Sequence, residues 1–370
     1  MFQPIIEVQT MGAQVSGVRV SFGKVVDEAS LSLGSFCFCI CSENTDNLWQ
    51  QIPIIGLEMI DTCTVYLKLC LEQGYLSKKV LRFVPEEFTQ SVCHMKYKLQ
   101  QNGSIFAQDQ TEITAGTVYA LCVPERVGID EFVQESFKDM SYSLYTPQIK
   151  AKKHPLIIWL HGAGEGGHNG SNIMADKGAV TYLNKDTQYL FCGVYIVAPQ
   201  CPTYWLRKFA VDGIVLHGDR DYTADLHALI VQLLDEHKDI DRSRIYVVGA
   251  SMGSWQGLRL MAESPDLFAG AILSCSAQIP ECKILDAIED IPIWFLHCKA
   301  DDTVPVHNTE SIYGYLKKKA QADVRVTYYP EVVVQGEKVN QHCVFFYMYE
   351  NLPEKNGENL FNWLSKQKRG

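Results

Sequence analysis

Two patterns of apolar and polar positions divide the chain near residue 123. Before that point the apolar runs are short and alternate, as in Val18, Val20 and Phe22 with Arg19 and Ser21 between them. Ser35–Ile40, Thr62–Leu71, Val80–Val84, Met95–Leu99 and Thr117–Val123 are further runs rich in aromatic and β-branched residues. Turn-forming stretches separate them at Asn44–Asn47, Gly74, Asn102–Gly103 and Gly116. Short strands at this spacing predict an antiparallel β-sandwich over residues 1–123, Ig-like in architecture only, since no Cys…Trp…Cys core is visible. From Pro155 the apolar runs become continuous: Leu156–Leu160, Val194–Ala198, Ile245–Val248, Ala271–Cys275, Ile291–His297 and Val324–Tyr329. Helical spacing lies between them, with Leu226, Leu229, Ile230, Leu233 and Leu234 on one face. Strands buried on both faces and alternating with helices predict an α/β domain with a mostly parallel sheet. This second domain is read as 124–370. It includes a linker, 124–154, whose stretch Phe132–Tyr145 is amphiphilic.

One stretch organises the second domain. Arg244 to Gln256 reads R-I-Y-V-V-G-A-S-M-G-S-W-Q. A β-branched strand stops at Gly249, and a helical pattern runs from Met252 to Glu263. At the junction, Gly249-Ala250-Ser251-Met252-Gly253 matches G-x-S-x-G. In that motif a serine sits on a strained strand-to-helix elbow with its hydroxyl above the sheet edge. The glycines let strand and helix approach, and the N–H of the next residue, Met252, points where an oxyanion would form. A serine needs a base within hydrogen-bond reach, and the base needs an orienting carboxylate. In this topology the three arrive in the order serine, acid, histidine. Only His297, His307 and His342 follow the elbow. His297 lies inside a buried strand and His307 comes too soon after the acidic pair. His342, after the last strand, is the expected base. The acid is drawn from Asp301-Asp302, just past a buried strand. Asp301 leaves the strand first and is chosen; Asp302, the alternative, suits a cap for the next helix.

A glycine-rich loop, His161-Gly162-Ala163-Gly164-Glu165-Gly166-Gly167, follows the first buried strand. It lacks the helix and the Lys-Ser/Thr pair of a phosphate-binding loop. It reads instead as the H-G-x-G loop that brings the second oxyanion donor, with His161 tying it down. Gly162, Gly164, Trp205 and Trp255 are the expected substrate contacts; Tyr204 and Trp205 follow a strand end, where ligands bind in open α/β sheets, and either reads equally as pocket wall or as core.

The net charge of −10 argues against nucleic-acid partners. Thirteen cysteines lack C-x-x-C spacing, which suits a reducing compartment better than a disulfide or zinc framework. Cys37, Cys39 and Cys41 share one strand face and read as small buried hydrophobes. No basic segment with an apolar core opens the chain and no run spans a membrane, so a cytoplasmic, membrane-free protein is expected. A secreted chain trimmed of its leader would read the same.

The segments H-G-A-G-E-G-G, V-A-P-Q-C-P, D-R-S-R-I-Y-V-V-G-A-S-M-G, P-D-L-F-A-G-A and W-L-S-K-Q-K-R together resemble α/β-hydrolase esterases of the "predicted peptidase" branch, related to polyhydroxybutyrate depolymerases and feruloyl esterases. The similarity covers roughly Pro155 to Arg369. V-S-G-V-R-V-S-F-G-K-V-V and S-F-C-F are similar to the Ig-like domain preceding the hydrolase in thermophilic EstA-type esterases. The resemblance implies Ser251 as nucleophile, Asp301 as acid, His342 as base, and N–H groups near Ala163 and of Met252 as the oxyanion hole. Ser254 departs from the family's second glycine, and no glycine precedes His342. The expected function is cleavage of carboxylic esters, short-chain or carbohydrate-linked, with no metal or cofactor and with self-association through the Ig-like domain left open. The alternatives are a peptidase using the same triad, or an inactive carbohydrate-binding or adhesion protein.

Overall fold

A computed structural model describes every residue except Gln73, Asp212, Gly213, Ala320 and Gln335. The chain forms two compact units. The first comprises Met1–Val84, Gln90–Glu131 and Met174–Asp176. The second comprises Pro85–Thr89, Phe132–Ile173 and Lys177–Gly370.

The second unit is built on eight strands: β1 (Val133–Phe137), β2 (Met140–Tyr145), β3 (His154–Leu160), β4 (Tyr195–Gln200), β5 (Ile240–Ala250), β6 (Gly270–Ser274), β7 (Ile293–Cys298) and β8 (Val324–Tyr329). Their order in the sheet is β1-β2-β4-β3-β5-β6-β7-β8. The β1–β2 and β2–β4 pairs are antiparallel and all others parallel. Every residue of β3 and β4 is buried, because both faces of the sheet are covered. One face packs Leu156, Ile158, Val247, Leu273 and Phe295 against Leu226, Leu229 and Leu233 of the helix Thr223–Glu236. That helix buries all five of its expected apolar positions, each worth about 1.5–3 kcal/mol when removed from water. On the other face Trp294 meets Trp363 edge-on, with ring centroids 5.5 Å apart. Register aligns the strand ends: Leu160 opposite Gly249, Gly249 opposite Leu273, and Ser274 opposite Leu296. The loops after β3, β5, β6 and β7 therefore emerge side by side.

Phe132–Tyr145, read from sequence as part of a linker, is instead the hairpin β1–β2 at the sheet edge. β1, Val-Gln-Glu-Ser-Phe, is almost wholly exposed. An edge strand needs few apolar positions, so its pattern carried no strand signal.

The first unit is all β. A five-stranded sheet runs in the order Glu125–Val127, Phe2–Gln9, Gly12–Ser21, Thr64–Leu69, Ile54–Asp61. A three-stranded sheet runs Trp49–Ile52, Phe36–Ser42, Met95–Gln101. Val18, Val20, Val65 and Leu67 from the first sheet are fully buried, as are Phe38, Ile40 and Leu99 from the second. Phe2 meets Phe38 edge-on at 6.3 Å. The inward side of Phe36–Ser42 is thus Phe36, Phe38 and Ile40. Cys37 and Cys39 lie on the other side, only half-buried, 3.8 Å apart at sulfur, which corrects their reading as buried hydrophobes. Thr117–Val123 forms no strand and contributes only the bridges Gln100–Val118 and Phe2–Leu121. Among the described residues no helix is long and apolar enough to cross a membrane.

Candidate active site

Ser251 joins β5 to the helix Met252–Glu263 at φ 54° and ψ −116°. A non-glycine residue at positive φ is costly, by about 1–3 kcal/mol, and must be held by its surroundings. Here the Ser251 N–H donates to Ser274 O at 2.9 Å, and Ser251 O accepts from Ala277 N at 3.2 Å. The flanking glycines are steric necessities. A Cβ on Gly253 would fall 1.9 Å from Leu160 O, and one on Gly249 would fall 2.6 Å from Gly253 O. The elbow exists because strand β3, the elbow and the helix occupy space that no side chain can share.

The three expected residues come together. His342 Nε2 lies 2.9 Å from Ser251 Oγ, and His342 Nδ1 lies 2.8 Å from Asp301 Oδ2. His342 sits in a tight turn, Gln341–Val344, whose start is capped by Asn340 Oδ1 accepting from the His342 N–H at 2.9 Å. Its side chain is 14% exposed, whereas that of Asp301 is fully buried. Asp301 Oδ1 accepts from the N–H groups of Thr303 at 3.0 Å and Val304 at 2.8 Å. Burial alone would raise the Asp301 pKa, but the contacts with His297 and His342 and the Val304 N–H outweigh it and hold the carboxyl well below the usual range. Burial works against charge on His342, and contact with Cys275 and with Asp301 more than offsets it, so the imidazole pKa is raised. Asp302 is exposed, and the turn that Asp302 was expected to cap is tied instead by Asp301.

His161 is fully buried, with Nδ1 2.7 Å from Gly162 O and Nε2 accepting from the Cys201 N–H at 3.0 Å. Burial pushes its pKa down to about 4, so it stays neutral and fastens the loop, as its position after β3 suggested. Glu165 Oε1 accepts from the Gly162 N–H at 3.1 Å, closing the loop on itself. Gly164 turns it at φ 87°.

The cleft above Ser251 has a volume of about 250 Å³. Gly162, Ala163, Ser251, Met252 and His342 line it, with Phe88, Ala277, Val304, Pro305 and Phe345 as apolar walls. Met252 opens its helix, so its N–H is one of those a helix leaves without an internal partner. Gly164, Trp205 and Trp255 are outside this lining. Trp205 is a correction: it is fully buried and donates from Nε1 to His161 O at 3.2 Å, supporting the loop from beneath. Trp255 packs against the core under Arg259, whose guanidinium carbon lies 5.0 Å from the indole centroid. Ser254, the departure from the family glycine, is buried in the helix, its Oγ without a partner among the described residues.

Sequence reasoning missed three neighbours of the triad. His297 Nε2 lies 3.2 Å from Asp301 Oδ2, and its Nδ1 is 2.7 Å from Thr309 Oγ1. Its spacing of four from Asp301 was visible, but not the direction of its ring. Cys275 directs Sγ to His342 O at 3.6 Å. Phe88 had no signal that tied it to the cleft.

The fold and this edge of the sheet define an α/β-hydrolase. The chain belongs to the phospholipase/carboxylesterase family, a family of carboxylic ester hydrolases, whose model matches residues 146–339. It is similar to a protein of Nocardia uniformis subsp. tsuyamanensis provisionally named esterase NocK, 31% identical over 133 residues. That match covers 34% of this chain and spans only 33% of the curated relative's length. It is also similar to the crystal structure of a thermostable esterase, with 25% identity and a TM-score of 0.84, over 100% of this chain and 99% of that one.

Proposed function

We propose that the chain is a serine hydrolase that cleaves carboxylic esters through an acyl-enzyme, with Ser251 as nucleophile, His342 as base and Asp301 as the orienting acid. The observation that carries this reading is the unbroken hydrogen-bonded line from Ser251 Oγ through the His342 ring to Asp301 Oδ2. His342 Nε2 accepts the Ser251 proton as Oγ attacks the ester carbonyl, and then delivers it to the departing alcohol. Asp301 keeps the proton of the neutral ring on Nδ1, which leaves the Nε2 lone pair facing the serine, and then stabilises the imidazolium. The main-chain N–H groups of Ala163 and Met252 receive the oxyanion; one such donor is worth about 2.7–4 kcal/mol of transition-state stabilisation. Water activated by the same imidazole releases the acid. The mechanism asks for no metal or cofactor.

The apolar walls and small volume of the cleft favour a short acyl group. The alcohol side, carbohydrate or otherwise, is the part an ester panel graded by acyl length and by alcohol would define. The first unit's two sheets support an Ig-like assignment for it, with self-association through that unit as a reading that sedimentation of the whole chain would test.

A fluorophosphonate probe tests the central claim. The wild type should be labelled once and Ser251→Ala should not. Equal labelling of both, or none of the wild type, would overturn it.

A further inference from the structure

Two polar side chains lie beside His342 besides Ser251, and the mechanism uses only one of them, Asp301. Cys275 is the residue that needs a reason. It is the first residue after β6, fully buried, at φ 40°, with its N–H donating to Leu296 O at 2.8 Å. Its neighbours Cys298, Val332 and Val344 form an apolar cluster that would accept a purely hydrophobic side chain. Instead a thiol faces the catalytic pair. Cys275 Sγ, a carboxylate oxygen of Asp301 and a ring nitrogen of His342 all lie within 4.8 Å of one another.

We propose that Cys275, Asp301 and His342 bind a thiophilic divalent cation, zinc above all, and that the bound ion switches the hydrolase off. The silencing half rests on the triad reading above; the binding half does not. The donor set is one sulfur, one nitrogen and one oxygen, which selects zinc over magnesium or calcium. Zinc bonds of about 2.0–2.3 Å put neighbouring ligand atoms roughly 3–4 Å apart, so the trio needs a closure of about an ångström at its widest. A thiolate and a carboxylate neutralise the dication, and the imidazole binds uncharged. The filled site carries no net charge, which a buried position requires.

Only Oδ2 of Asp301 is called upon. Oδ1 keeps its two main-chain donors, Thr303 and Val304, so the loop that presents the carboxylate stays in place. His297 Nε2, 3.2 Å from Oδ2, buttresses that oxygen from the side. Of the three ligands only His342 lines the cleft, so the ion enters past its ring and carries in the water that completes the set. The protons balance simply. The ion takes Nδ1 of the neutral ring, whose single proton then sits on Nε2, and the thiol proton leaves to solvent; from the imidazolium form a second proton leaves with it. No electrons move. An Nε2 that carries a proton can no longer accept one from Ser251, so hydrolysis stops.

Two measurements on the full chain test this. In the first, zinc is titrated into the wild type, Cys275→Ser and Cys275→Ala, each scored against its own metal-free ester hydrolysis. The zinc concentration for half inhibition should rise at least roughly tenfold to a hundredfold in both variants, the loss already typical of removing an outer-shell partner, and a chelator should restore the wild type. In the second, cobalt(II) is added to Ser251→Ala, which needs no turnover. A thiolate-to-cobalt charge-transfer band should appear and should be lost in Ser251→Ala/Cys275→Ser. Equal zinc sensitivity of wild type and Cys275 variants, no inhibition of the wild type, or a cobalt band indifferent to Cys275 would each overturn the proposal. Should the chain prove inactive on esters, the cobalt band still decides the site.

Discussion

In the proposed mechanism Asp301 stays charged while His342 takes up and gives back a proton, and the surroundings of the two side chains differ accordingly. The Asp301 carboxylate is buried yet kept ionised by donors on both oxygens, two of them main-chain N–H groups that cannot titrate. Burial works against charge on His342, and the neighbouring Cys275 together with this carboxylate raises its pKa all the same. The imidazolium form cannot accept the Ser251 proton. The proposed mechanism therefore predicts activity above the His342 pKa and its loss as pH falls through it, and that pKa lies above the ordinary 6.5. We expect kcat/KM for an ester to show an acid limb centred on the alkaline side of 6.5. Asp301→Asn should lower kcat by about 10⁴, the loss expected when the ring takes the wrong tautomer. It should also move the limb toward lower pH. A limb that stays put in Asp301→Asn would remove Asp301 from the role. At this scale the sequence order serine, acid, histidine was enough to pick out three side chains that lie hydrogen-bonded in line, because their loops leave neighbouring strand ends. The ring of His297 and the thiol of Cys275 could not be found the same way. Each reaches the site from its own strand or strand end, and only the direction of its side chain makes it a neighbour. Trp205 shows the same limit in reverse, since a strand-end aromatic reads alike whether it faces the cleft or the core.

Among the elements, the junction of β5 with its helix is the most tightly specified, and the sequence shows why. Ile245–Val248 is β-branched and buried, Gly249 ends the strand, and Gly253 lets the helix start against the end of β3. Gly253→Ala would drive a Cβ to 1.9 Å from Leu160 O and 2.6 Å from His161 O, both main-chain atoms. We expect a destabilisation of about 1–3 kcal/mol, the usual cost of overpacking, together with loss of activity through the displaced oxyanion loop. Gly314→Ala is the matched control. It lies in the helix His307–Lys319 with open space where its Cβ would go, and should stabilise by about 0.4–1 kcal/mol. Urea denaturation of both variants checks the pair; equal and small effects would mean that the elbow tolerates a side chain. The strands of the parallel sheet were legible for the same reason the junction was: burial on both faces leaves a continuous apolar run. The hairpin Val133–Tyr145 was not, because its outer strand faces solvent and spells Val-Gln-Glu-Ser-Phe.

Over the whole molecule the chain does not divide at one point. Pro85–Thr89 belongs to the second unit, and Met174–Asp176 to the first. A linear reading that draws a boundary near 123 has no means of seeing such exchanges, since composition changes only once along the chain. The exchange has a consequence for the cleft, because Phe88, at φ 49°, is one of its apolar walls. A fragment beginning at residue 132 lacks that wall. In the full chain, Phe88→Ala removes the ring and leaves Ser251, His342 and Asp301 untouched. Losing an apolar contact with the acyl group should lower kcat/KM for apolar acyl esters by roughly 10–200-fold, mainly through KM. Acetyl esters, too small to reach the ring, should be affected less. The fragment should show at least the same defect. A Phe88→Ala enzyme with unchanged KM across the acyl series would mean that substrates bind elsewhere in the cleft, and the short-acyl reading would fall with it.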